Sequence, residues 1–111
     1  MTFTVSNAPN GVMIVSVDGQ LIVANRNELK ERVVEALEAK ESKFVLDFSS
    51  TGYIDSSGLG VLVSVSKKIR ETGGDLRLAG LNEDLRMLFE LTKLDTLFKI
   101  CDTTDEAIDS F

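Results

Sequence analysis

Histidine is missing from all 111 residues, and cysteine occurs once, at Cys101. Without histidine there is no Ser-His or Cys-His nucleophilic triad and no imidazole metal site. A single thiol builds neither a thiolate zinc cluster nor an internal disulfide. Basic charge is also scarce: 12 Lys and Arg stand against 18 Asp and Glu, and the net charge of −6 disfavours nucleic acid and anionic membrane as partners. No apolar stretch approaches the roughly 20 residues needed to cross a bilayer, so direct membrane insertion is not expected. The opening MTFTVSNAPN has neither the basic nor the apolar region of a secretory signal, which with the lone cysteine predicts a cytoplasmic protein. No linker, repeat or low-complexity tract interrupts the chain. With 43% apolar and 27% charged residues it is expected to fold as one domain, residues 1–111.

What is present alternates in period. VMIVSV, residues 12–17, is β-branched and runs into the turn signal Asp18-Gly19, and residues 2–6 supply a partner strand before Asn10-Gly11. Asn25 or Asn27 is a candidate cap for a helix in which Leu29, Val33, Ala36 and Leu37 recur at helical spacing, ending near Lys40. FVLDF, residues 44–48, reads as a short strand. After Ser57, Leu59, Leu62, Val63, Ser66 and Ile69 share one side of a helix of about four turns, widened by Val61 and Val65, while Gly60, Ser64, Lys67 and Glu71 fall opposite. Gly73-Gly74 stops it. LRLAG, 76–80, alternates as a strand. Asn82 caps a third helix with Leu85, Leu88, Phe89 and Thr92 inward, and Met87 and Leu91 at the core or its edge. LFKI, 97–100, is a last short strand with Cys101 as a small buried residue beyond it, and a terminal helix opens at Thr103 or Thr104. The class is α/β: a mostly parallel mixed sheet of about four or five strands with four helices.

YIDSSGLGVLVSV, residues 53–65, raises the question of function. Its plainest reading is a helix start, with Asp55, Ser56 or Ser57 as cap and Gly58 and Gly60 allowing close packing. A Walker phosphate loop needs Gly, four residues, then Gly-Lys-Ser/Thr, and Leu59 and Val61 stand where glycine and lysine would be needed; the dinucleotide fingerprint is incomplete after Gly58-Leu59-Gly60. A serine nucleophile lacks a base, since Lys67 or Lys68 lies ~15 Å along the helix from its start. Asp47 and the acidic side of the first helix read as solvated or satisfied surface. No catalytic residue, metal or cofactor is expected.

The segment VLDFSSTGYIDSSGLGVLV, 45–63, resembles the STAS domains, specifically the bacterial anti-sigma factor antagonists. The likeness extends to VSVDGQL at 15–21, LRLAGLNEDLRMLFELTKLDTLFKI at 76–100 and TTDEAI at 103–108. Two positions depart from it: Ile22 stands where many antagonists have an acid, and Lys93 where relatives often have glycine. The resemblance implies a STAS fold in which the first serine after the aspartate, Ser56, is phosphorylated, a choice that local sequence leaves open between Ser56 and Ser57. It further implies that the unphosphorylated chain binds an anti-sigma factor with serine kinase activity and so frees a sigma factor, and that a PP2C-type serine phosphatase reverses the modification. On this reading the chain is a switch rather than an enzyme, with Asp55, Ser57, Gly58, Gly60, Ser64 and Lys67 at the partner surface. Asp55 either orients the Ser56 hydroxyl or caps the helix. The alternative is a STAS module serving as a scaffold in a signalling assembly or as a ligand-sensing domain.

Overall fold

In the computed structural model, which describes residues 2–111, the apolar runs near 12–17, 44–48 and 76–80 become strands of one sheet. Strand β1 (Phe3–Asn7) returns antiparallel as β2 (Val12–Val17) through a turn in which Asn10 takes a left-handed conformation, φ 71°. From β2 onward the pairing is parallel: β4 (Lys43–Asp47), β6 (Asp75–Ala79) and β7 (Lys99–Cys101) follow in spatial order β1-β2-β4-β6-β7. Helices α1 (Arg26–Glu38), α2 (Ser56–Glu71) and α3 (Glu83–Leu91) make the crossovers, and α4 (Thr104–Asp109) ends the chain.

Alternation along β4 divides the interior in two. Phe44 and Leu46 face a large cluster with Leu29, Val33, Leu62, Val65, Ile69, Leu85 and Phe89, so α1, α2 and α3 share one face. Val45 faces the other way, onto Val12, Ala79, Cys101 and Ala107 of α4. Phe3, Phe44, Phe48 and Phe89 are fully buried, each worth ~1.5–3 kcal/mol relative to exposure.

The expected sheet is present, with boundaries shifted by one or two residues. Three local readings change. A second, two-stranded sheet joins β3 (Gly19–Leu21) to β5 (Thr51–Ile54), segments whose glycines read as turn and loop. Val63 is 38% exposed rather than inward, because the buried side of α2 centres on Gly58, Val61, Leu62, Val65, Ser66 and Ile69. On α3, Met87 and Leu91 are exposed, Leu88 is half-buried, and Thr92 is the exposed C-cap whose hydroxyl donates to the Leu88 carbonyl at 2.8 Å. Nine helical residues can turn only one narrow side to the sheet. No helix among the described residues is long and apolar enough to cross a membrane.

Candidate functional site

The segment before α2 is anchored from both sides of the chain. Thr51 is buried and its hydroxyl donates to the Val17 carbonyl at 2.6 Å, while the Gly19 N–H donates to the Ser50 carbonyl at 2.9 Å. These bonds start the β3–β5 ribbon, which pairs Gln20 with Tyr53 and Leu21 with Ile54 after a one-step register irregularity. Where the ribbon ends, the Asp55 N–H donates to the Leu21 carbonyl at 3.1 Å. The chain is thus delivered to the first turn of α2 in a fixed direction.

Asp55 is the N-cap of α2, extended at φ −90°. One carboxyl oxygen accepts the Gly58 N–H at 2.7 Å, and the other accepts the Val23 N–H at 3.1 Å across a sequence separation of 32 residues. Of the two roles considered for Asp55, the hydrogen bonds show the cap, extended by a clamp onto the loop before α1. The same loop is braced internally: the Asn25 side chain accepts the Ile22 N–H and donates to the Gln20 carbonyl, both at 2.8 Å. Asn25 precedes α1, but its side chain is used in this loop and not as a helix cap; Asn27 lies inside the helix.

Ser56 opens α2 and is exposed, whereas Ser57 is half-buried. Gly58 is buried, and a Cβ there would overlap the Leu21 carbonyl oxygen, so the expectation that it belongs to a contact surface is corrected: it lets α2 press onto β3. Gly60 is exposed with open space where a Cβ would stand, Ser64 is half-buried and Lys67 is exposed. Ser56, Gly60, Ser64 and Lys67 therefore remain on the open side of α2, with Val63 beside them. Lys67 stands ~16 Å along the helix from Ser56, too far to activate its hydroxyl.

Two exposed apolar side chains near Ser56 escaped the sequence reading. Val23 is 60% exposed and its backbone is held by the residue next to Ser56; Tyr53, 58% exposed, lies three residues before it on β5. The signal for Val23 was the apolar triplet Leu21-Ile22-Val23 ahead of a turn, in which alternation keeps at least one member out of the core. Among the described residues there is no group of three or more His, Cys, Asp or Glu able to hold a metal.

Residues 5–107 match the STAS domain family. The anti-sigma-B factor antagonist of Bacillus subtilis is 33% identical over 86 residues, 78% of each chain. The crystal structure of an anti-sigma factor antagonist from Mycobacterium paratuberculosis superposes with a TM-score of 0.87 at 25% identity, covering 98% of this chain and 92% of that one. SpoIIAA of Bacillus shares the fold at 18% identity in both forms, with TM-scores of 0.76 unphosphorylated, covering 97% and 96% of the two chains, and 0.75 phosphorylated, covering 97% of each. The ribbon, the capped α2 and the five-stranded sheet thus sit in a chain that belongs to the STAS domain family, among the anti-sigma factor antagonists.

Proposed function

We propose that this chain, unphosphorylated, binds an anti-sigma factor that is itself a serine kinase, and that by occupying it the chain frees a sigma factor for transcription. Ser56 is the acceptor. The observation that carries this reading is an exposed hydroxyl at the first position of a helix whose cap is clamped to a second loop, next to a serine that is half-buried. In the transfer step the Ser56 oxygen bonds to the γ-phosphorus of kinase-bound ATP, the bond to the β-phosphate breaks, ADP leaves, and the hydroxyl proton passes to a base on the kinase. A PP2C-type phosphatase returns the hydroxyl by hydrolysis. The chain supplies the acceptor and its placement, acts as substrate rather than enzyme, and works in the cytoplasm with its partners. Ser57, Gly60, Ser64 and Lys67 continue the contact surface along α2.

The added group brings about −1.5 to −2 charge at neutral pH. At the N-terminus of α2 that charge meets the positive end of the helix dipole, which favours it by ~0.3–1 kcal/mol, so the fold persists. The near-equal match to SpoIIAA in its two forms supports the same view. The test is incubation with ATP and each anti-sigma serine kinase of the same genome, followed by mapping of phosphate by mass spectrometry. Label at Ser56, absent from Ser56→Ala, is expected. Label at Ser57 moves the acceptor by one residue, and no label with any kinase overturns the reading.

A further inference from the structure

We infer that phosphate on Ser56 blocks docking by desolvation: Val23 and Tyr53 form an apolar collar that seats an apolar patch of the kinase, and a phosphorylated Ser56 must lose its hydration against that collar. This rests on Ser56 being the acceptor and specifies how the switch at that site operates.

Six large apolar side chains are exposed among the described residues, and two of them stand close in the chain path to Ser56: Val23, whose N–H is held by Asp55, and Tyr53, three residues before Ser56 on β5. Exposed apolar side chains placed next to a candidate site on an otherwise acidic protein mark a protein contact more readily than a solvated surface. Its charge content is unusual too. The converging segments 19–25 and 49–62 contain no Lys or Arg and a single acid, Asp55. Both oxygens of that acid accept backbone N–H groups. These segments thus carry only one of the net negative charges, on a carboxylate whose oxygens are both engaged by backbone N–H groups, and they hold no cation to neutralise a phosphate.

A neutral hydroxyl is buried under a partner at modest cost, whereas a dianion pressed between apolar surfaces without a cation loses far more hydration than the contact returns. Ile22 and Val23 are both apolar, which fits a partner surface that is apolar at this point. Salt separates the two ways a phosphate can act. Repulsion between exposed charges is screened over ~8 Å at physiological ionic strength, but lost hydration is not restored by salt.

The experiment uses the kinase that labels Ser56, held with ADP so that no transfer occurs, and measures Kd for the unphosphorylated and Ser56-phosphorylated chain from about 0.05 to about 0.5 M salt. The ratio of the two constants is expected to stay within about threefold across the range; a fall of about tenfold or more assigns the block to charge repulsion and overturns the inference. Val23→Ser and Tyr53→Ser, each checked for an unchanged circular dichroism spectrum, are expected to weaken unphosphorylated binding at least about tenfold and to narrow the phosphorylation penalty. Unchanged binding in both variants overturns the collar while leaving the phosphoswitch standing. If no kinase binds or labels the chain, the functional reading falls, and the collar with it.

Discussion

Asp55 receives two N–H groups that belong to different parts of the chain, Gly58 at the start of α2 and Val23 before α1. Half of this was legible: an aspartate before two serines and a glycine is an N-cap pattern, because its oxygen reaches an N–H three residues ahead. The bond to Val23 was not, since nothing local reports on a residue 32 positions away. Asp55→Ala is expected to lower stability by ~1–2 kcal/mol in urea unfolding, the cost of a lost cap plus a loosened loop. Amide exchange gives the sharper readout, with protection lost at both Val23 and Gly58; loss at Gly58 alone would leave a simple cap and no clamp. Gly58 and Gly60 show the limit of reading residue types. The same glycine two positions apart is once a close backbone approach and once open space, and only the position of Leu21 distinguishes them.

Helix α2 was found from its periodicity, yet its inward direction was set one step off, with Val63 in and Gly58 out. A run of Val61, Leu62, Val63 and Val65 is apolar around more than half of the helix, so the pattern alone does not centre the buried stripe. Ser66 lies within that stripe. It is 2% exposed, and its hydroxyl has no hydrogen-bond partner. Leaving such a group unpaired costs ~1–3 kcal/mol, so Ser66→Ala is expected to raise the urea midpoint by an amount equivalent to ~1 kcal/mol once the slight loss of packing is counted. A lower midpoint would show that the hydroxyl is satisfied in solution. The β3–β5 ribbon was not legible because three or four residues containing glycine carry no alternation of their own; it exists because two such segments find each other. At the far end of α3, Lys93 adopts a left-handed φ of 64°, a conformation that glycine takes more readily.

The α/β class and the approximate positions of the strands of the main sheet followed from apolar runs and helical periods, which burial on one or both faces imposes directly on sequence. Charge placement at the sheet's rim did not. Arg77 on β6 donates to Asp75 at 2.7 Å and to the Ser110 hydroxyl at 2.9 Å, and its guanidinium stacks on Phe111 at 4.3 Å, which ties the end of the chain to the central strands. Burial pushes the Asp75 carboxyl upward, but the Arg77 hydrogen bond, the Leu76 N–H and the charges of Arg77 and Arg70 outweigh it and hold the pKa below the ordinary value of 3.8. A carboxyl lowered in the folded state contributes stability that is present above its unfolded pKa and is lost as pH falls through its folded one. The urea midpoint of the wild type is therefore expected to exceed that of Asp75→Asn at neutral pH and to converge with it below about pH 4; a gap unchanged down to strong acid would show that the charge contributes nothing. The two-stranded ribbon has a consequence at this largest scale. Because Ser56, the acceptor proposed above, is aimed by pairing between residues 19–21 and 51–54, a short peptide with the letters DSSGLG has the right spelling and no aim. The kinase proposed to act on this chain is then expected to read a folded object and to leave a half-synthesised or unfolded copy unlabelled.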